Sequence, residues 1–253
     1  MESGDEAVEA FEVYYSQSIP PFDRFSEAMQ QALSKTLEEV NGKLGKEETT
    51  RLRVKAMHNF LLALKGDRSA YLQSVKQAMS SCRKCPELSG PPVLSMGAPG
   101  ALIMLVGEAP GEEEQKQGKP FIGRAGKLLS DMVKSAGIPQ SLIYIANTCR
   151  CRPPGNRVPK KGEVKNCFPW LVAEIDCVSP MVIVPLGTTA AKVFLGPKAG
   201  TMKDIHGRMF VIGAQVIMPT YHPAAVLRSA KGAEEGLKDD LKKLSKLTDI
   251  LRV

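Results

Sequence analysis

Long hydrophobic runs, export signals and histidine are the scarce features of this sequence. No window approaches the roughly 18 uninterrupted apolar residues of a membrane helix, so we expect no membrane partner. The first thirty residues are acidic and carry no apolar run behind a basic start, so we expect no secretory signal and a cytoplasmic protein. Only three histidines occur. The 43% of hydrophobic and 24% of charged residues nevertheless describe an ordinary globular chain.

Basic side chains are few in the first fifty residues and in excess afterwards. Residues 1–50 hold 4 basic and 11 acidic side chains, whereas residues 51–253 hold 30 basic and 16 acidic ones. A positive body favours an anionic partner, of which nucleic acid is the commonest. Ordinary solubilising charge explains the same numbers equally well.

Periodicity divides the chain into a helical N-terminal extension, residues 1–78, and an α/β domain, residues 79–253. The extension has apolar residues at helical spacing over 26–44, 50–64 and 70–79. The domain alternates four short apolar runs with stretches of helical periodicity. Such alternation is typical of a parallel sheet with helices on both faces. The predicted strands are 101–107, 142–147, 181–187 and 215–221, and the predicted helices are 125–136, 161–175, 188–195 and 234–251.

Three polar side chains follow the predicted strands. Glu108 comes after the first strand, Asn147 ends the second, and His222 follows the fourth. In open parallel sheets, ligands bind beyond the carboxyl ends of the strands. The sequence therefore predicts a site in which a carboxylate, an amide and an imidazole converge, although a strand-end Asn is also a common turn residue and a lone His is usually structural.

Two glycine-rich segments could shape such a site. The turn over residues 107–111 lets backbone approach a ligand closely, but it matches neither nucleotide-binding glycine motif, so a nucleotide cofactor is disfavoured. In the loop over residues 117–126, Phe121 is a candidate stacking platform for a flat ring. The alternative is that Phe121 anchors this loop in the core.

Four of the six cysteines have informative spacing. Cys82 and Cys85 form a C-x2-C pair, while fifteen residues separate Cys151 from Cys167. Without an export signal, such cysteines are more often ligands or inert core thiols than disulfides. Four dispersed thiolates suit either zinc or an iron–sulfur cluster, and spacing alone does not decide.

Two cysteines are left over. Cys149 lies two residues before Cys151, and we expect its side chain to face the other way. Cys177 lies in a helical stretch and is expected in the core.

The loop that carries Cys151 is rich in arginine. Arg150, Arg152 and Arg157 flank it, and such a basic loop could contact phosphates. A solvated loop without a ligand is the alternative, and the positive body of the chain favours the phosphate contacts.

Six stretches of the sequence, taken together and in order, resemble the family 4 uracil-DNA glycosylases, the thermostable-type enzymes with an iron–sulfur cluster. Each one is a weak signal, whereas all six together are specific. They cover residues 80 to about 230 and leave residues 1–75 without a counterpart. The matching stretches are CRKC (82–85), GEAPGEEEQKQGKPFIGRAGKLL (107–129), YIANTCRCRPPGNRVP (144–159), KNCFPWL (165–171), VPLGTTAAKVFLG (184–196) and YHPAAVLR (221–228).

The resemblance implies a fold, a cofactor and a reaction. The implied fold is a three-layer α/β/α sandwich with a central four-stranded parallel sheet. The implied cofactor is a [4Fe–4S] cluster held by Cys82, Cys85, Cys151 and Cys167. The implied reaction, by a monofunctional glycosylase that we expect to be a monomer, is hydrolysis of the N-glycosidic bond of deoxyuridine in single- or double-stranded DNA. It leaves an abasic site and initiates base excision repair.

The resemblance also assigns a base pocket. The target uracil must leave the stack, since its C1′ cannot be reached inside a duplex. Phe121 would stack on the flipped ring, and Asn147 would hydrogen-bond its edge and reject cytosine. His222 would donate a hydrogen bond to uracil O2 as negative charge develops there. Either Glu108 or Glu114 would orient or activate the attacking water.

Other matched residues would contact the rest of the substrate. The backbone from Ala109 to Gly111 would line the pocket and approach the target phosphates. After His222, either Val226 or Leu227 would enter the minor groove as a wedge, and Arg228 would lie near a phosphate.

Two other functions fit the same residues. A non-catalytic DNA-binding module would use the same basic face, because a fold does not fix a function. The set of Glu108, Asn147 and His222 argues against it. A glycosylase of broader specificity would also release hypoxanthine or other deaminated bases, although Asn147 and the acidic turn favour uracil.

Overall fold

The computed structural model describes residues 68–88, 90–197, 199–212 and 215–251, and within them the chain forms one five-stranded sheet. The strand order is β2-β1-β3-β5-β4. The strands β1, β2, β3 and β5 are parallel to one another, as the sequence predicts. The strands are β1 Ile103–Gly107, β2 Ile143–Asn147, β3 Val182–Pro185, β4 Phe210–Ile212 and β5 Gln215–Ile217.

The expectation of a four-stranded sheet is wrong by one strand. The additional strand, β4, pairs antiparallel with β5 at the edge of the sheet. It is only three residues long, and Val211 at its centre is 66% exposed. The residues of β4 are all apolar, but a strand of three residues is shorter than the runs of four to eight by which strands are recognised in a sequence.

Helices cover both faces of the sheet, which confirms the predicted three-layer α/β architecture. Side chains of β1 alternate between the layers: Met104 and Val106 face one core, and Ile103 and Leu105 face the other. The helices are α1 Arg68–Ser80, α2 Glu112–Gln117, α3 Arg124–Ser135, α4 Lys161–Val178, α5 Gly187–Leu195, α6 Met202–Ile205, α7 Pro223–Leu227 and α8 Ala233–Leu251.

Each layer is closed by apolar side chains from two or three helices. On one face, α1, α4 and α5 contribute Met79, Ile175 and Phe194, all fully buried. On the other face, α3 and α8 contribute Leu129 and Leu241. Burying side chains of this size stabilises the fold by about 1.5–3 kcal/mol each. The helix α1 is therefore packed on the sheet, at the start of the described chain.

Most helices of the domain lie where the sequence predicts them. The predicted helices 125–136, 161–175, 188–195 and 234–251 correspond to α3, α4, α5 and α8, and the predicted helix 70–79 lies inside α1. The predictions for 26–44 and 50–64 lie outside the described residues. Among the helices of the described ranges, none has the length and apolar character that crossing a membrane requires.

Candidate active site and cysteine cluster

The carboxyl ends of the parallel strands form the edge at which the predicted polar residues meet. Gly107 and Asn147 are paired at the ends of β1 and β2. On the other side, a bridge between Leu186 and Thr220 brings the segment after β5 beside the end of β3. The sheet register therefore brings the segments that carry Glu108, Asn147 and His222 to one edge.

Asn147 and Phe121 both contact the α-carbon region of Gly107. A β-carbon at position 107 would collide with Asn147 Oδ1 and would lie 2.5 Å from Phe121 Cζ. A glycine is therefore required there. The side chain of Asn147 is 3% exposed, and its Oδ1 accepts no hydrogen bond from the described residues. A buried acceptor without a partner is costly, so this atom is available for a donor on a ligand.

Phe121 is held in a strained backbone conformation. Its φ of 55° lies in the left-handed region, which is rarely occupied by bulky residues. Gly126 makes this loop possible, because a β-carbon there would run into the carbonyl of Phe121. The Phe121 ring lies 6.2 Å from the His222 ring, centroid to centroid. Strain of this kind concentrates at functional sites, where it fixes a side chain in advance of binding.

His222 is a neutral imidazole with a defined tautomer. Its Nδ1 accepts a hydrogen bond of 3.1 Å from the Ala224 amide, so the ring proton is on Nε2. Burial lowers the pKa of His222 to about 4, and the positive charge of Arg228 acts in the same direction. Gly187 packs against this ring, since a β-carbon on Gly187 would lie 3.1 Å from His222 Cβ.

The two candidate carboxylates differ in their partners. Glu114 accepts hydrogen bonds from the amides of Gly111, at 3.1 Å, and Gly123, at 2.8 Å. It thereby joins the turn after β1 to the loop that carries Phe121. Within the part of the chain that the structure describes, the Glu108 carboxylate has no hydrogen bond or ion pair, while its backbone carbonyl accepts from Thr148 and Cys149.

The arginines of the cysteine loop are engaged with acidic or polar side chains. Arg157 makes a two-bond ion pair with Glu163, at 2.6 and 2.9 Å. Arg152 donates to Asn156 at 2.7 Å and lies 3.4 Å from Glu112. These contacts shape the loop, and the phosphate contacts of Arg152 and Arg157 stay predictions.

For Arg150, the expected phosphate contact is wrong. Its side chain is only 1% exposed, and its guanidinium pairs with the buried carboxylate of Glu174 and donates to Ser95. Tyr144 donates to the same carboxylate at 3.0 Å. The sequence shows a basic residue in a basic loop, and only the distant Glu174 on α4 reveals that this one is internal.

The helix α7 after His222 separates the two candidate wedge residues. Val226 packs against the core on the α8 side of the sheet, whereas Leu227 is 42% exposed. Arg228, next in the chain, is exposed as well. Of the two, Leu227 is the residue that presents apolar surface to an approaching partner. Ala109, whose backbone is expected to line the base pocket, has its side chain packed against the cluster of Leu88, Cys149 and Cys167.

Cys82, Cys85, Cys151 and Cys167 line one cavity of about 260 Å³. Asn166 donates to the Cys85 sulfur at 3.5 Å. The Arg150 backbone amide donates to the Cys167 sulfur at 3.4 Å.

The prediction that Cys149 faces away from these cysteines is wrong. Cys149 is fully buried and packs with Cys167, and its thiol donates to the Cys151 carbonyl at 3.5 Å. Side chains two residues apart in an extended segment point to the same face, so the spacing of Cys149 and Cys151 indicates the side that the structure shows. A hydrogen bond from Cys149 lowers the pKa of the Cys167 thiol, which favours its thiolate form. Cys177 is buried in the core on the α4 side, as predicted.

The cavity can be tested against the two metal groups that the spacing allows. Across the described ranges, no three or more His, Cys, Asp or Glu side chains are placed so that they could hold a metal ion. The four thiols line a space and do not converge on one point, as the ligands of tetrahedral zinc do. A cluster of several irons separates its thiolates more widely, so this all-cysteine donor set and its cavity fit an iron–sulfur cluster better.

Comparisons with known proteins agree with this geometry. The family model described as the uracil DNA glycosylase superfamily matches residues 94–246. A type-4 uracil-DNA glycosylase of Sulfurisphaera tokodaii is 38% identical over 186 residues, which are 70% of this chain and 84% of that protein. Similar enzymes match from Thermotoga maritima, 38% identical over 64% of this chain and 86% of that protein, and Pyrobaculum aerophilum, 36% identical over 66% and 90%.

Proposed function

This chain belongs to the uracil-DNA glycosylase superfamily, and from that premise we propose its reaction and the residues that perform it. It is a uracil-DNA glycosylase of the type-4 kind, a hydrolase that removes uracil from DNA and leaves an abasic site. The observation that carries the proposal is the meeting of Asn147, Phe121 and His222 around Gly107 and Gly187. The cytoplasmic location and the monomeric state stay predictions.

Asn147 selects uracil by its hydrogen-bonding pattern. Its buried Oδ1, which accepts no hydrogen bond from the described residues, accepts the N3–H of a flipped uracil, and its Nδ2 donates to O4. Cytosine offers an acceptor at N3 and a donor at the exocyclic position, so both contacts would be lost. The Phe121 ring, fixed beside Asn147, stacks on the base.

His222 stabilises the leaving group. As the bond between C1′ and N1 breaks, the electron pair goes to uracil and negative charge develops on O2. A neutral imidazole with its proton on Nε2 donates a hydrogen bond to that oxygen without giving up its proton. The interaction is strongest in the transition state, which is where it accelerates the reaction.

Glu108 orients the attacking water molecule, and Glu114 holds the loop that carries Phe121. Of the two glutamates, only Glu108 has a carboxylate without a hydrogen bond from the described residues. It can therefore accept a hydrogen bond from a water molecule and face the cationic sugar. The water oxygen adds to C1′, and one water proton finally reaches the uracil anion. Both oxygens of Glu114 already accept from Gly111 and Gly123 and hold the Phe121 loop in place.

DNA contacts extend from the pocket in two directions. Leu227, exposed on α7, would enter the stack where uracil leaves it, with Arg228 beside a phosphate. The backbone from Ala109 to Gly111 would approach the phosphates of the target nucleotide.

A [4Fe–4S] cluster is the proposed cofactor, held by Cys82, Cys85, Cys151 and Cys167. When bound, it would supply iron–thiolate bonds that join three segments of the chain, and the reaction above requires no redox step from it. Support comes from the cavity that these four thiols line and from the hydrogen bonds that two of the sulfurs accept.

The test is release of uracil from an oligonucleotide that contains one deoxyuridine, read as strand cleavage by alkali. The matched control is the same oligonucleotide with thymidine at that position. The change of His222→Ala should lower the single-turnover rate about 10²–10³-fold while DNA binding is retained. An intact uracil strand that is still bound would favour the non-catalytic module. Release of hypoxanthine at a comparable rate would favour the broader glycosylase.

A further inference from the structure

Cys149 is a fifth thiol beside the four that line the cysteine cavity. It is fully buried and packs with Cys167, Cys151 and Cys85. It does not line the cavity itself. Its thiol donates a hydrogen bond to the carbonyl of Cys151 and packs with Cys167, and both of these residues line the cavity. A sixth cysteine, Cys177, is buried in a different core and serves as a comparison.

The backbone that carries Cys149 is fixed at this place. Its amide donates to the carbonyl of Glu108 at 3.0 Å, and the amide of Arg150 donates to the Cys167 sulfur at 3.4 Å. The Arg150 side chain is itself held by Ser95 and Glu174. The Cys149 thiol is therefore held beside the Cys167 thiol, in the same buried cluster.

We propose that Cys149 is a reserve ligand, which replaces Cys167 in binding the iron–sulfur cluster when Cys167 cannot bind it. The proposal rests on the cofactor proposed above. In the exchange, one iron–sulfur bond replaces another, the Cys149 thiol gives up its proton to water, and no iron changes oxidation state. Only a thiol can do this, whereas any small apolar side chain would fill the same space.

Single substitutions of two ligands distinguish a reserve ligand from an inert thiol. The Cys167→Ala protein should keep about four irons per chain and the brown colour, while Cys82→Ala, whose ligand lies outside the cluster of Cys149, should lose both. The double change of Cys149→Val with Cys167→Ala should lose the cluster, and Cys177→Val with Cys167→Ala should keep it. Equal loss of iron from Cys167→Ala and Cys82→Ala would overturn the proposal.

If Cys167→Ala does not fold, a second variant that keeps all four proposed ligands tests the same proposal. Cys149→Val alone leaves the four proposed ligands in place, and Cys177→Val is its matched control. Hydrogen peroxide oxidises ligand thiolates, that of the buried Cys167 among them, to sulfenates and is itself reduced to water. Its addition should bleach the cluster of Cys149→Val several-fold faster than that of Cys177→Val, and equal rates would overturn the proposal.

Two readouts separate this inference from the proposed function. Wild-type protein without iron, purified anaerobically, would contradict the cofactor and not the glycosylase. Wild-type protein with iron, together with a Cys167→Ala variant without it, would contradict only the role of Cys149. Release of uracil by the wild type tests the reaction independently of both.

Discussion

A single backbone hydrogen bond decides the chemistry of His222. Because the Ala224 amide donates to Nδ1, a second proton on the ring would have to displace that bond. Burial and the charge of Arg228 oppose the same proton. We therefore expect His222 to act as a neutral donor through Nε2 and not as a general acid at neutral pH.

The pH profile of the reaction should reflect this lowered pKa. A histidine with an ordinary pKa near 6.5 would lose its neutral form as the pH falls through that value, whereas His222 stays neutral down to about pH 4. We expect kcat/KM to lack an acid limb near pH 6.5 and to fall only as the pH approaches 4. The measurement is release of uracil at constant ionic strength. An acid limb near pH 6.5 that disappears in His222→Gln would show that the imidazole titrates normally.

The same pKa shift affects stability in a defined direction. In the unfolded chain, His222 takes up its proton near pH 6.5, and in the folded chain only near 4. Between these values the unfolded state binds more protons, so the free energy of unfolding should decrease as the pH falls through this window.

Neutralising Glu108 should lower the reaction rate, whereas neutralising Glu114 should lower the stability of the protein. Glu108→Gln should lower kcat by about 10²-fold or more, because it removes the charge that faces the water, and should leave the melting temperature unchanged. Glu114→Gln should lower the free energy of unfolding by about 1–3 kcal/mol, since two amides lose a charged acceptor, and should raise KM. Uracil-release kinetics and thermal melts of both variants check this. A loss of kcat in Glu114→Gln together with a loss of stability in Glu108→Gln would assign the water to Glu114.

At the scale of elements, the short helix α7 turns one side chain inward and its neighbour outward. Leu227→Ala should lower the rate on double-stranded substrate about tenfold or more, since opening a base step costs on the order of a few kcal/mol. On single-stranded substrate the rate should hardly change, because there is no stack to open. Val226→Ala is the matched control, with about 1 kcal/mol of lost stability and equal effects on both substrates. Equal loss of both activities in Leu227→Ala would contradict the wedge.

The elements that bury apolar side chains are those that the sequence reveals. The central strands β1, β2 and β3 are apolar apart from Asn147 at the end of β2, and the sequence predicts their ends within two residues. The edge strand β4 is not predicted, since Val211 is largely exposed and the strand has only three residues. The predicted position of Cys149 is wrong for a different reason: side chains two residues apart in an extended segment share one face, so Cys149 is expected on the same side as Cys151.

The site was predictable where a side chain ends a strand and hidden where a contact joins distant segments. The topology of a parallel sheet is enough to bring Asn147 and His222 to one edge. Nothing local indicates that Arg150 pairs with Glu174, or that Glu114 is bound by Gly123. Such contacts depend on packing between elements, which composition and spacing do not encode.

At the scale of the whole molecule, the four cysteines that line the cavity come from segments that are far apart in sequence. Cys82 and Cys85 follow α1, Cys151 lies in the loop after β2, and Cys167 is on α4. The helix α1 packs on α4 and contributes Met79 to the core beside this cavity. A bound cluster would therefore fix α1 and the loop after β2 to α4, next to the pocket that carries Asn147.

Removal of the proposed cluster should loosen this arrangement. A cross-link that closes a loop of tens of residues contributes on the order of 3–5 kcal/mol, mostly by restricting the unfolded chain. Iron removal by a chelator under reducing conditions should therefore lower the melting temperature by roughly 10 °C. Far-UV circular dichroism during a thermal melt measures this, and reconstitution with iron and sulfide should restore the original value. An unchanged melting temperature after complete iron loss would mean that hydrophobic packing of α1 on α4 holds these segments without the cluster.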